Sequence, residues 1–139
     1  MRALNSMDCS LHLMDERMKQ SIESARGASQ MLKKRAALEE EYAQGLKKIS
    51  RTAMSDYTGN DVRAGTYGTS WVHMIKNQDI LSENHFRFAS KLTNISDDIA
   101  SLVYDAEQHR KQSRDLGFRL EKSLLEAESA ADRARLRLD

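Results

Sequence analysis

Apolar side chains recur at short intervals from Leu11 onward: Met14, Met18, Ile22, Ala25, Ala28, Leu32, Leu38, Tyr42, Leu46 and Ile49 follow, mostly three or four residues apart. That spacing places one apolar stripe along a helix that the polar positions leave otherwise wet. The pattern predicts a first long helix over residues 10–54, with Ser10 as a capping oxygen and residues 1–9 as a frayed lead-in. Its centre, Gln30 to Arg51, is dense in Ala, Leu, Lys, Glu, Gln and Arg, which lose least on entering a helix. Gly27 and Gly45 each cost about 1 kcal/mol relative to alanine there, so both are expected to mark close approach by another helix.

Residues 55–70, SDYTGNDVRAGTYGTS, break the pattern. Gly59, Gly65 and Gly68 stand among Ser, Thr, Asn and Asp, which reads as a loop. Thr69 or Ser70 then offers an oxygen to cap a second helix over 71–139. Leu81, Phe88, Leu92, Ile95, Ile99, Leu102, Ala106, Leu116, Leu120, Leu124, Ala127, Ala131 and Leu138 keep helical steps there, and Gly117 is the sole glycine. At about 1.5 Å per residue the two helices are roughly 65 Å and 100 Å long. No stop signal closes the second, so the element is expected to continue and the domain to be partial. The fold class is all-α, a long antiparallel helical hairpin. A hairpin of this length has more apolar surface than it can cover, which calls for a second copy or further helices. The candidate bundle-core or dimer residues are Leu32, Tyr42, Leu46, Ile49, Trp71, Phe88, Leu92, Ile95, Ile99 and Leu102.

Composition narrows the chemistry. The 139 residues carry 22 Lys and Arg against 21 Asp and Glu, so attraction to any polyanion must come from local patches. Nucleic acid is not an expected partner, because the basic patches lack interleaved aromatics. A charged fraction of 31%, 6% aromatic residues and no proline suit long solvated helices. Cys9 is the lone cysteine, so no intrachain disulfide forms. It reads as an incidental residue. There is no apolar run of membrane-spanning length and no secretory-type start in MRALNSMDCS, so a cytoplasmic protein is expected. His12, His73, His85 and His109 lie scattered, without metal-ligand spacing. Neither a nucleophile elbow nor a phosphate-binding glycine loop occurs. The expectation is no metal, no cofactor and no catalysis.

Basic residues gather in two places. On a helical wheel Lys33, Lys47 and Arg51 fall close together, with Arg26 nearby and Glu40 intruding. Arg110, Lys111, Arg114 and Lys122 cluster on one flank of the second helix. Read from charge alone, this fits a solvated face laced with pairs such as Glu107 with Lys111. Arg35 lies nearer the apolar seam, placed to pair with Glu39.

The order of residues from Lys33 to Ile49 adds something the charges do not. A basic doublet and arginine, acidic residues, Tyr42-Ala43 and then Leu46-Lys47-Lys48-Ile49 resemble the FCH motif that opens F-BAR domains. Trp71 and the step Leu81-Ser82-Glu83-Asn84-His85 resemble the same family further on. The likeness covers roughly residues 10–125. It implies the N-terminal part of an F-BAR domain, an antiparallel homodimer, and binding to anionic phospholipid surfaces at the plasma membrane or cell cortex. In that family Lys33 and Arg35 hold the places of basic motif residues, and Arg110, Lys111 and Arg114 those of the next basic run. Residues 65–71 weakly resemble fungal members carrying Rho GTPase-activating domains, which implies Rho GTPase-pathway or cytoskeletal partners. The rival expectation is a dimeric coiled-coil scaffold that binds proteins and never touches lipid.

Overall fold

The computed structural model describes residues 2–59 and 65–137, with side chains over 11–58 and 65–137. Two helices account for nearly all of it: α1, Arg2–Gly59, and α2, Thr66–Arg135. They fold back on one another as an antiparallel hairpin, the all-α class that the periodicity predicts.

Both helices exceed the sequence expectation at the connection. The polar run 55–58 is helical, with Tyr57 half-buried and the Thr58 hydroxyl bonded back to the Met54 and Ser55 carbonyls at 3.0 and 3.1 Å. α2 starts five residues before Trp71. Gly65, at φ 125°, offers its carbonyl to Thr69 N–H at 3.4 Å and so stands as the cap. Thr69 and Ser70 are inside the helix, and the Ser70 hydroxyl bonds back to the Thr66 carbonyl at 2.9 Å. Gly68 is buried in the first turn of α2, inside the helix and not in a bend. At the other end α1 already includes residues 2–9, and Arg135 is followed by a turn at Leu136 and Arg137. Leu138 lies outside the described residues.

Contacts divide the hairpin into two units, Gly27–Ile99 and the pairing of Met1–Arg26 with Ala100–Asp139. In Gly27–Ile99 the seam is built from small side chains. Ala36, Ala43 and Ser50 on α1 and Ile75, Ser82, Ala89 and Ser96 on α2 are buried at seven-residue intervals, with Leu46 and Leu92 beside them. Small groups let the backbones approach until hydroxyls bridge them. Ser82 donates to the Ala43 carbonyl at 2.8 Å and Ser50 to the Ile75 carbonyl at 3.2 Å. Ser29 and Ser96 meet with their hydroxyls at 3.0 Å. A helix carbonyl keeps a second lone pair after its own ladder bond, so these bridges leave the helices intact.

In the other unit Ile22 and Val103 are buried and Met18, Ala25 and Ala106 half-buried. Leu116, Phe118, Leu120, Leu124 and Leu125 on α2 are exposed, as are Leu11, Leu13 and Met14 on α1. Among the described residues, nothing lies within 4 Å of where a Cβ would stand at Gly27, Gly45 or Gly117, so no close helix approach there explains them.

Candidate functional site

Three first-helix cations, Arg26, Lys33 and Lys47, stand opposite acidic residues of α2. In Gly27–Ile99, Lys33 stands 3.9 Å from Asp97, with both side chains mostly exposed. Lys47 donates to Glu83 at 2.6 Å and sits 5.8 Å over the Phe86 ring. The Lys47 hydrogen bond, seconded by its charge, holds the Glu83 carboxyl below the usual carboxylate range. In the other unit Arg26 approaches Glu107 at 3.8 Å. Of the cations that share a face on a wheel, Arg26, Lys33 and Lys47 therefore meet carboxylates of α2, and Arg51 does not.

Arg110 is turned inward. Its side chain is 13% exposed and reaches Asp15 at 2.9 and 3.0 Å and Glu107 at 3.2 Å. Its Nε is buried with no partner among the described residues. The hydrogen bonds that Arg110 donates to Glu107 and then to Asp15 push the guanidinium further up, and Arg110 in turn holds Glu107 down. Arg35 pairs with Glu39, the partner its wheel position indicates. Lys48, Arg51, Arg114 and Lys122 are exposed, with no ion pair among the described residues; Lys111 is exposed too and acts on Glu107 through charge alone. Lys48 and Arg51 border an open cleft of about 280 Å³ lined also by Gln44, Lys47, Thr52 and Phe86.

Glu39 is the buried acid of the seam. His85 Nδ1 lies 2.6 Å from its carboxylate and Arg35 takes the other oxygen, while the Tyr42 ring meets His85 edge-on at 4.8 Å. The His85 hydrogen bond, against burial and with help from Arg35, holds the Glu39 carboxyl below the usual range.

The large apolar residues divide. Leu46 and Leu92 are buried, and Leu32, Trp71 and Ile99 half-buried. Tyr42, Ile49, Phe88, Ile95 and Leu102 face outward at 52%, 62%, 45%, 48% and 67% exposure. Within Gly27–Ile99, Met74, Leu81, Phe88 and Ile95 recur every seventh residue as an uncovered stripe on α2, and Leu38, Tyr42 and Ile49 form one on α1. Sequence reasoning missed the serine–alanine seam and the Asp15–Arg110 pair. The signal for the first was present, as a seven-residue repeat of small residues.

A solvated helical hairpin with paired charges along its seam and open apolar stripes is a scaffold. The FCH family profile, described as the Fes/CIP4, and EFC/F-BAR homology domain, matches residues 10–87. The chain belongs to that family, a family of non-catalytic scaffolds associated with membranes. It is 26% identical over 109 residues, 77% of its length, to a Dictyostelium discoideum protein called GTPase activating protein homolog 2. It is 21% identical over 135 residues, 97% of its length, to a Schizosaccharomyces pombe protein called probable Rho-GTPase-activating protein 7. The matches span 12% and 19% of those two proteins. No solved structure matches the chain. Among the described residues no helix is long and apolar enough to cross a membrane, and no group of side chains is arranged to hold a metal ion.

Proposed function

We propose that the chain is a dimerising membrane-surface scaffold that binds anionic phospholipids through cations its own carboxylates leave free. The observation that carries this reading is Lys48 and Arg51, uncompensated beside the Lys47–Phe86 cleft in a chain of the F-BAR family. Near an anionic bilayer each such cation contributes about 1 kcal/mol, so binding needs several acting together and falls as salt rises. Lys33 and Lys47 add less than their number implies, because Asp97 and Glu83 already sit beside them. Arg110 organises its helix pair and does not face a headgroup. Arg114, Lys111 and Lys122 supply the second patch.

Two copies dock through the outward stripes that hold Tyr42, Ile49, Phe88 and Ile95, in keeping with the family's habit of dimerising. The names of the two relatives support a place in Rho GTPase signalling at the cell cortex, with curvature sensing or shaping as the module's contribution. Neutralisation of Arg26, Lys33 and Lys47 by Glu107, Asp97 and Glu83 favours the rival reading, a protein-binding coiled-coil scaffold. Co-sedimentation with phosphatidylserine vesicles between 50 and 300 mM salt separates the two. Binding should weaken with salt, and Lys48→Glu with Arg51→Glu should lower it by roughly tenfold or more. Equal binding to neutral vesicles, or indifference to both salt and the double substitution, would sink the lipid reading.

A further inference from the structure

We propose that Glu83 gates the cationic cleft: by holding Lys47 it withholds one cation from an anionic bilayer and so sets the surface charge density at which the chain binds. The gate presupposes the lipid reading and adds to it the residue that fixes the threshold.

The gate is built into the step Leu81-Ser82-Glu83-Asn84-His85, three of whose side chains grip α1 at one residue per turn. Ser82, wholly buried, donates to the Ala43 carbonyl at 2.8 Å. Glu83 accepts from Lys47 at 2.6 Å, and His85 Nδ1 meets Glu39 at 2.6 Å. Glu39, Ala43 and Lys47 follow at four-residue steps and so rise along one face of α1. On α2, Glu83 and His85 project to either side of Ser82, so the outer two grips straddle the seam. The seam bond just before Glu83 and the His85 contact just after it fix that stretch of backbone against α1. The Glu83 carboxylate therefore stays within reach of Lys47. An ordinary surface pair loses most of its value to the freedom of two long side chains. Here one partner is held in place from both sides, and the other is 30% exposed and also lies 5.8 Å over the Phe86 ring. Lys33 and Asp97 make the contrast, 3.9 Å apart with side chains 70% and 63% exposed. Lys33 is free to turn to a surface, and Lys47 is not.

The surroundings make that hold consequential. Lys47 and Arg51 line the open cleft with Lys48, and they line an adjoining one with Lys76 and Asp79 of α2. Lys48, Arg51 and Lys76 are exposed and have no ion pair among the described residues, so Lys47 is the cation of this group that a carboxylate occupies. The Lys47 hydrogen bond holds the Glu83 carboxyl below the usual carboxylate range, so the competitor is ionised at neutral pH. A cation beside an anionic bilayer and an ion pair at a protein surface are worth similar amounts. Transfer of Lys47 from Glu83 to headgroups is thus close to balanced, and the density of headgroups decides it. Where anionic lipid is sparse, Glu83 keeps Lys47 and its own charge opposes the surface. Where it is dense, Lys47 crosses over. Screening limits such effects to about 8 Å at physiological salt, so the position of the carboxylate governs and not the net charge of the chain.

Co-sedimentation with phosphatidylcholine vesicles carrying between about 5 and 50% phosphatidylserine, at fixed salt, reads the threshold. Glu83→Gln keeps the length of the side chain and removes its charge. It should bind about fivefold more tightly than wild type at an intermediate phosphatidylserine fraction and reach half-binding at a lower one. Helix content by circular dichroism should match wild type, because the Ser82 and His85 grips remain. Asp98→Asn makes the same change in net charge at an exposed residue two positions past Ser96, turned away from the seam and without an ion pair among the described residues. Its affinity should stay within about twofold of wild type. A Glu83→Gln threshold equal to that of wild type, or an equal gain in Asp98→Asn, would overturn the gate while leaving the lipid reading standing. A wild-type chain that binds no vesicle at any phosphatidylserine fraction overturns the lipid reading, and the gate with it.

Discussion

Glu39 is a carboxylate in a place where an alanine or leucine would ordinarily sit, and its partners explain why it is tolerated. The His85 hydrogen bond and the Arg35 guanidinium together outweigh the burial that opposes ionisation, so its carboxyl stays below the usual carboxylate range. Unfolding releases it to an ordinary value near 4.5. Between the two values the unfolded chain binds more protons, so Glu39 contributes stability that is fully present above about pH 4.5 and is lost as pH falls through the folded value. Glu39→Gln removes that contribution. Urea midpoints should place the variant below wild type at pH 5, with the gap narrowing as pH falls below 4.5. A gap that stays constant from pH 5 to pH 3 would show that ionisation of Glu39 does not cause the difference. The Arg35–Glu39 half of this node is legible in the sequence as a pair four residues apart. The His85 half is not, because it joins positions 46 residues apart that only the hairpin register brings together.

At the scale of the helices, the two elements follow directly from three- and four-residue spacing, and their facing surfaces do not. The usual assumption sends the largest apolar residues to the core, yet the hairpin buries Ala36, Ala43, Ser50, Ser82, Ala89 and Ser96 and turns Tyr42, Phe88 and Ile95 outward. The reason is geometric. Two helices alone have a thin interface, and small side chains let them close on each other, while bulky ones on the next face suit a further layer. A seven-residue repeat of Ala and Ser carries little hydropathy signal, so periodicity of large residues conceals it. Ser82, wholly buried and bonded to the Ala43 carbonyl at 2.8 Å, is the position that tests the closeness. Ser82→Ala should cost about 1 kcal/mol for the lost hydrogen bond. Ser82→Leu should cost more, about 1–3 kcal/mol of overpacking beyond that, because the larger side chain enters a fully buried position beside the α1 backbone. Urea unfolding followed by helix signal distinguishes them. Equal stability of the two variants would contradict the close seam.

For the whole molecule the question is which surface the chain presents to something else, and here charge and apolarity lead in different directions. The motif order in the first long helix makes family membership legible. The charged face is less so, since whether Lys33 or Lys47 is free depends on Asp97 and Glu83, more than thirty residues away in sequence. Once those pairs form, the apolar stripes are the least satisfied part of the surface. Phe88 and Ile95, seven apart on α2 and about half exposed, are the residues whose cover matters most. Phe88→Asp with Ile95→Asp should weaken the dimer at pH 7.5 by about a hundredfold or more, since central apolar anchors carry most of an interface's energy. Helix content should persist, because neither side chain contributes to the serine–alanine seam. Ser90→Asp, which changes an exposed residue two positions from Phe88 and so on the other side of α2 from the stripe, should leave the dissociation constant unchanged. A double variant that remains as tightly dimeric as wild type would move the interface to the other uncovered apolar set, Leu116 to Leu125.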